Sequence, residues 1–414
     1  MKISYLAIGS NSQNARENIE KAISLIAENF TLIKTSFLFK TPALLKDDDA
    51  QDNKIFLNTA VEIKTTLNPF DLLDKIQEIE KQLGKNNKTW KARVIDIDIL
   101  TYDDLEINSE RLKIPHTGLF QRSFVLDPLL HITNGEFFKK VLKASRKLKT
   151  KQPVIVGVIN INDNSFSNDG TLDEKILREK IRHWNENGVQ MIDIGSQSTR
   201  PDSTLIAENK ERELIIWGLK IILDELSKSN FKYTLPRISI DSFYKNTIQE
   251  AKLINPEIIT NDQSGLIRCS DSTIISMHNN ALPVDKSKMF KDLKEMKLSL
   301  FKFLNAIPKQ ENYIIDPGIG FGKIGHHSLY IIQNIPKLFF RYNLKIMIGH
   351  SRKRFLSEFN NSLNPQDRDI ETLGISIGIL NKVEFIRVHN PILHIKAIVS
   401  FLHTNNQLKF VHCN

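Results

Sequence analysis

Very little in this chain supports a secreted, membrane-spanning or zinc-built protein. Its 414 residues contain two cysteines, Cys269 and Cys413. Neither has the partners or spacing of a disulfide, redox or zinc framework, so both read as free thiols. No apolar stretch reaches the roughly 18 residues of a membrane span, and the amino terminus lacks the basic-then-apolar layout of a signal peptide. A cytoplasmic location with no membrane partner is expected. His326-His327 lacks the spacing and companions of a zinc site. Gly320-Phe321-Gly322-Lys323-Ile324-Gly325 spells G-x-G-x-x-G, but Asp316-Pro317-Gly318 leads into it and Lys345 stands about twenty residues on where an acid is needed, which argues against a dinucleotide fold. Gly322-Lys323 is not a P-loop either, because Ile324 replaces the Ser or Thr that would bind magnesium.

What is present describes an ordinary globular chain, 41% hydrophobic and 25% charged, and its length favours two domains over a single core. The formal net charge of +9 is scattered. Its densest run, Lys139 to Lys151, holds seven basic residues with Phe138, Val141, Leu142 and Leu148 at helical spacing. That pattern reads as an amphipathic joining helix, and anionic small-molecule substrates account for the remaining excess without a nucleic acid.

The most informative run is Arg93-Val94-Ile95-Asp96-Ile97-Asp98-Ile99-Leu100. Read as a strand, it sets Asp96 and Asp98 on one face, about 7 Å apart, and turns Ile95, Ile97 and Ile99 to a core. Two carboxylates suit Mg²⁺, which takes one or two of them and leaves its other positions to water and phosphate oxygens; a solvated strand face is the alternative. Upstream, Asn68-Pro69 opens and Gly84 closes a helix whose Leu72, Leu73, Ile76, Ile79 and Leu83 recur at three and four residues. Strand-like stretches at Tyr5 to Ile8 and Phe56 to Val61 complete an α+β first domain.

These segments resemble hydroxymethyldihydropterin pyrophosphokinase over residues 1 to about 135. The motifs are Gly9-Ser10-Asn11, Asn58, Trp90 with Arg93, Asp96-Ile97-Asp98, Ile114-Pro115-His116 and Arg122-Ser123-Phe124. The resemblance implies a ferredoxin-like fold. It also implies that Asp96 and Asp98 bind two Mg²⁺ on ATP, that Asn58 and Phe124 hold the pterin, and that Arg93, His116 and Arg122 contact ATP. The chain departs from the family at Trp90-Lys91-Ala92-Arg93, where Trp-Gly-Pro-Arg is usual, and in the Arg-poor loop Gly84 to Thr89. Lysine lacks the planar fork of arginine, so a looser phosphate clamp is expected.

From Pro153 the pattern becomes strands alternating with helices. Candidate strands are Val154 to Asn160, Met191 to Ile194, Arg237 to Ile240, Ile258 to Asn261, Ile274 to Met277, Tyr313 to Ile315, Lys345 to Ile348 and Phe385 to Val388. Eight strands in about 260 residues fit a (β/α)₈ TIM barrel. Asn160, Asp193, Asp241, Asn261, His278, Asp316, Ser351 and His389 fall at or just past strand ends, where barrels build their sites.

Residues 153 to 402 resemble dihydropteroate synthase. The likeness is carried by Ser165-Phe166-Ser167, Asp193-Ile194-Gly195, Ser198-Thr199-Arg200-Pro201, Ser239-Ile240-Asp241, Asn261-Asp262, Met277-His278, Asp316 to Lys323, Ser351-Arg352-Lys353 and Arg387-Val388-His389. It implies that Asp241, Asn261, Asp316 and Lys353 hold the pterin. Asn160, Arg387 and His389 would hold its diphosphate with Mg²⁺, Asn160 as a metal ligand, while Thr199, Arg200, Pro201, Phe321 and Ser351 frame para-aminobenzoate. Lys353 and Arg387 would also serve catalysis. Departures are Asn162-Asp163-Asn164 for Thr-Pro-Asp, Gln197 for Glu, Asn390 for Asp, and His350 before Ser-Arg-Lys.

The expected layout is a pyrophosphokinase domain at 1–138, a basic helical linker at 139–151 and a synthase barrel at 152–414, with a homodimer through the barrel. A pterin-binding methyltransferase-type barrel fused to a pterin kinase is the alternative. It would share the pterin carboxylates but gives no reason for the Ser198 to Pro201 loop beside Ser351 to Lys353.

Overall fold

A computed structural model describes all residues except 43–54, 86–92, 163–171, 198–204, 265–271, 281–287, 361–363 and 409–414. Trp90, Ser165 to Ser167, Thr199, Arg200, Pro201 and both cysteines therefore lie outside the described residues. The chain divides into two compact units, one of Met1–Gln152 with Asn230–Leu235 and Lys396–Asn414, the other of Pro153–Ser229 and Pro236–Ile395.

The first unit is built on an antiparallel sheet of β1 (Lys2–Ser10), β2 (Thr31–Thr35), β3 (Phe39–Pro42), β4 (Ile55–Thr65) and β5 (Asp96–Tyr102), with α1 (Ala15–Asn29) and α2 (Pro69–Gln82) between strands. The order β2-β4-β1-β5, with β3 also on β4, is the ferredoxin-like arrangement. A small hairpin, β6 (Ile107–Asn108) and β7 (Lys113–Ile114), follows. Strand alternation sorts the side chains into two cores. Leu6, Ile8, Val61, Ile63, Ile97 and Ile99 pack with α1 and α2 residues such as Ile19, Ile23, Leu72 and Ile76. Tyr5, Ala60 and Leu100 face α3 (Ser123–Leu129) and α4 (Gly135–Ser145) on the other side. Helix α2 starts as its sequence suggests, with Pro69 at its first turn and the Asn68 side chain accepting from the Phe70 and Asp71 amides at 2.9 and 3.1 Å.

Strand β5 begins at Asp96, three residues after the expected start at Arg93. The reason is local: the Arg93 carbonyl accepts from the Asn11 amide (3.2 Å) and the Val94 carbonyl from Ser10 Oγ (2.6 Å), so these groups are satisfied by a turn and a side chain instead of a ladder. The alternation is unaffected, and Ile95, Ile97 and Ile99 are buried.

The stretch 139–151 does not behave as a free linker. Helix α4 covers its first half, and Phe138, Val141 and Leu142 are buried in the core of the first unit. Asp127 ties the end of this stretch down, accepting from Ser145 Oγ (3.3 Å) and from the Gln152 amide (2.8 Å). A cut after residue 138 would leave Leu126, Leu129 and Leu130 without their cover. Leu142→Ala in the full-length chain is expected to lower the stability of this unit by about 2–5 kcal/mol, the usual cost of such a cavity. Denaturant unfolding checks this, and an unchanged midpoint would mean that α4 is not part of the core.

The second unit is a closed barrel of parallel strands in chain order, β8 (Val154–Asn160), β9 (Met191–Gly195), β10 (Arg237–Asp241), β11 (Ile259–Asp262), β12 (Ile274–Met277), β13 (Tyr313–Asp316), β14 (Lys345–Ile348) and β15 (Phe385–Val388), with β15 returning to β8. Several strands run one residue further than their apolar runs suggest. Asp241 and Asp316 consequently form the last positions of β10 and β13 rather than lying just past them, while Asp193 and Asn261 lie within β9 and β11. Parallel pairing extends through these polar positions, with Asp193 opposite Ser239 and Asp241 opposite Asn261.

Candidate active sites

In the first unit, three neighbouring strands carry one row of residues: Asn58 on β4 pairs with Gly9 on β1, which pairs with Asp96 on β5. Asp98 stands opposite Ala7 on the same face, the one turned to α3. Gly9 leaves room for Asn58, since a Cβ there would come within 2.8 Å of Asn58 Oδ1 and displace that side chain. Asn58 is buried and donates to Thr41 Oγ1 at 2.7 Å. Arg122 opens α3 and its guanidinium lies 5.8 Å from the Phe124 ring centre. His116 accepts the Gly118 amide on Nδ1 at 3.1 Å.

The acid pair is electrostatically loaded. Burial and the neighbouring Asp96 push the Asp98 carboxyl upward, while His116, Lys85 and Arg122 pull the other way. Asp96 is held by Lys85 Nζ at 2.7 Å and Arg93 Nη1 at 2.9 Å. Lys85 also meets Glu80 Oε1 at 2.6 Å, and the same oxygen accepts the Ile97 amide at 2.7 Å, which β5, as an edge strand, leaves unpaired. Sequence reasoning placed Lys85 only in a loop and missed Glu80, whose position on α2 gives no hint of a contact with β5. The arrangement fits a divalent cation. An ammonium already stands as a positive charge on Asp96, and a second cation would relieve the repulsion felt by Asp98. The described residues gather no group of three or more His, Cys, Asp or Glu around a common point. A magnesium ion on these two carboxylates would draw its remaining ligands from water and phosphate.

In the barrel, the strand ends converge on a buried ionic network. Arg387 on β15 donates from Nε to Asp193 (2.6 Å) and from Nη2 to Asp241 (2.6 Å). Asn261 donates to both oxygens of Asp193 at 3.1 and 3.2 Å, Ser239 donates to the same carboxylate, and Gln263 donates to Asp241. Asp193 is thus the hub of the network, fully buried, although the sequence placed it only at a strand end and in the Asp193-Ile194-Gly195 motif, with no role in the site. Burial pushes Asp241 above the usual carboxylate range against the pull of Arg387.

Asp316 sits at the end of β13, its Oδ1 accepting the Gly318 amide at 2.7 Å and its Oδ2 beside Gly349. Burial raises it, while that hydrogen bond, Lys353 and Arg387 hold it down. Lys353 is pushed down to about 8 by burial and by Arg387, and it lies 4.3 Å from the Phe321 ring centre. His389 donates its backbone N–H to Ser351 Oγ (3.2 Å), and its Nδ1 lies 2.9 Å from the same oxygen. Burial and the surrounding cations push the His389 imidazole well below its usual value. Asn160 ends β8 opposite Gly195; no hydrogen bond ties its side chain to the network among the described residues. Gln197 uses both halves of its amide on Ile206, donating to its carbonyl at 2.8 Å and accepting from its N–H at 3.0 Å. A glutamate, the residue usual in the family, could not supply the donor.

Comparison with known proteins follows the same division of the chain. Residues 5–134 match the 7,8-dihydro-6-hydroxymethylpterin-pyrophosphokinase (HPPK) family, and residues 156–389, more than half of the chain, match the pterin binding enzymes. The folate synthesis bifunctional protein of Chlamydia caviae is 29% identical, covering 93% of this chain and 94% of its own length. One from Arabidopsis thaliana is 28% identical, covering 93% and 92%. Among solved structures, Plasmodium falciparum HPPK-DHPS with STZ-DHP shares the fold at a TM-score of 0.51, with 22% identity over 98% of this chain and 97% of its own. Dihydropteroate synthase from Anaplasma phagocytophilum, solved with bound 6-hydroxymethylpterin-monophosphate, has a TM-score of 0.51 and 25% identity over 61% of this chain and 99% of its own. With a pyrophosphokinase fold carrying an acid pair, followed by a barrel whose strand ends gather Asp193, Asp241, Asp316, Lys353 and Arg387, the chain belongs to the pterin binding enzymes and is a bifunctional folate-synthesis enzyme of the HPPK-DHPS type.

Proposed function

We propose that the two sites carry out consecutive reactions. In the first, the hydroxymethyl oxygen of 6-hydroxymethyl-7,8-dihydropterin attacks the β-phosphorus of ATP and loses its proton to solvent, the bond to the α-phosphate oxygen breaks, and AMP leaves. Asn58 and Phe124 would hold the pterin, and Arg93, His116 and Arg122 the ATP phosphates. Asp96 and Asp98 would hold Mg²⁺, which would supply charge neutralisation on the transferred group. Most of the barrier is met by alignment, so no group of unusual basicity is required.

In the second, the pterin's methylene carbon loses diphosphate and the amine nitrogen of para-aminobenzoate bonds to it, releasing a proton. Asp241, Asn261, Asp316 and Lys353 would hold the pterin. With Oδ1 held by the Gly318 amide, Asp316 offers Oδ2 as the acceptor for the N–H donors of the pterin's amino-pyrimidine edge. Arg387 and His389 would receive the leaving diphosphate, with Asn160 as a further oxygen ligand for its Mg²⁺. Phe321 and Ser351 would frame the amine, together with Thr199, Arg200 and Pro201. The observation that carries this reading is the Arg387 network, a fixed cation on the last barrel strand beside the Asp316 carboxylate, which suits an anionic leaving group on an amino-pyrimidine.

We place the functional division at Gln152/Pro153. The reading also includes a cytoplasmic location and a homodimer through the barrel. Among the described residues, no helix is long and apolar enough to cross a membrane. Sedimentation at micromolar concentration tests the dimer, and a monomer there would remove it. For the assignment of the two halves, a sulfonamide that imitates para-aminobenzoate should block dihydropteroate formation from supplied pterin diphosphate and leave AMP formation unchanged. Inhibition of AMP formation would overturn the division of labour.

A further inference from the structure

The turn that leaves β13 encloses a buried cation that the proposed reaction does not use. Lys323 is 3% exposed. Its ammonium donates to the carbonyl oxygens of His278 and Gly318 at 3.0 Å each and of Phe321 at 2.9 Å. Three donors meet three acceptors, and the acceptors come from two separate barrel connections, the one after β12 and the one after β13. The turn is shaped for this. Gly318 has φ +65°, and a Cβ there would run into the His278 carbonyl oxygen. No residue with a side chain could bring the two connections as close. Phe290, whose amide bonds the Gly322 carbonyl at 2.9 Å, stacks on His278 at 5.7 Å and lies 5.6 Å from the Lys323 ammonium.

Both ends of this turn belong to the proposed synthase site. Gly318, whose carbonyl bonds Lys323, gives its amide to Asp316 Oδ1 at 2.7 Å. Phe321, whose carbonyl also bonds Lys323, places its ring under Lys353. We propose that Lys323 is a positioning residue of the synthase half, an internal cation that folds the 316–323 turn around itself and so fixes the Asp316 carboxylate for the pterin and the Phe321 ring for the aromatic amine. The inference rests on the reading of Asp316 and Phe321 given above. Burial pulls the Lys323 ammonium down to about 7, with Asp316 opposing, and the three carbonyl acceptors favour its protonated form.

Lys323→Met retains the length of the stem and removes all three donors. In the full-length enzyme it is expected to weaken pterin diphosphate binding by at least about tenfold, by calorimetry, and to raise the KM for para-aminobenzoate. AMP formation by the same chain should stay at the wild-type rate. A residue that acts only on the fold would lower affinity in any background, whereas one acting through Asp316 would not. In an Asp316→Asn background the effect of Lys323→Met on pterin diphosphate affinity should therefore shrink to about twofold or less. Lys323→Gln, which keeps part of the donor set, is expected to show a smaller loss with the same dependence on Asp316. A folded Met or Gln variant with wild-type affinity, or an equal loss in both backgrounds, would overturn the proposal. So would failure of both variants to fold, which would make Lys323 a residue of the fold alone. Absence of pterin diphosphate binding by the wild-type enzyme would instead refute the synthase reading itself.

Discussion

Replacing Asp98 by alanine is expected to stop AMP formation while leaving the conversion of supplied pterin diphosphate to dihydropteroate intact. Asp98 shares the α3-facing side of the sheet with Asp96, two residue pairs along the β1–β5 ladder. Both are half-buried, and Asp98 is raised by burial and by its neighbour's charge. Asp96 already has Lys85 and Arg93 on its oxygens, so Asp98 is the carboxylate with more to gain from a divalent cation. Its removal should lower the AMP rate at saturating ATP and Mg²⁺ by at least about a hundredfold, the scale on which one preorganised electrostatic contact is felt in transfer chemistry. Unchanged AMP production in the variant would overturn the metal assignment. A parallel loss of dihydropteroate formation would show that the substitution damages more than the first site.

Asp316→Asn should do the reverse. Its Oδ1 is committed to the Gly318 amide, and Oδ2 is the oxygen left to meet the pterin edge. Asparagine keeps one acceptor. If that oxygen stays on Gly318, the new NH₂ faces the pterin's own donors. A buried donor without an acceptor costs on the order of 1–3 kcal/mol, so pterin diphosphate affinity measured by calorimetry should fall at least about tenfold. AMP formation should be unaffected. Wild-type affinity in the variant would mean that the pterin edge is read elsewhere.

Much of this was legible in the sequence because the barrel's strands are short, largely β-branched runs, each with a polar residue at its end or within two residues after it. Val154 to Asn160, Ile274 to Met277, Lys345 to Ile348 and Phe385 to Val388 coincide with observed strands. The α2 helix was marked at both ends by its own caps. What was not legible depends on contacts distant in the chain. Nothing in the apolar spacing of α4 distinguishes a joining helix from one buried under Tyr5 and Leu100, and Asn230–Leu235 carries no local sign that it belongs with the first unit. Asp193 looked like one strand-end acid among several. Its central place follows from β9 pairing with β10 and from the reach of Arg387 across the barrel. Gln197 looked like a loss relative to the family's glutamate, yet its amide makes two hydrogen bonds to Ile206 that a carboxylate could not make together.

The central claim is that one chain makes and then consumes the same pterin diphosphate. A coupled assay of the full-length enzyme with ATP, Mg²⁺, 6-hydroxymethyl-7,8-dihydropterin and para-aminobenzoate, in which AMP and dihydropteroate are measured separately, tests it most directly. Both products are expected to accumulate, with dihydropteroate formation dependent on ATP until pterin diphosphate is supplied. AMP without dihydropteroate, even when pterin diphosphate is added, would contradict it, as would dihydropteroate formation from added pterin diphosphate with no AMP formed from ATP.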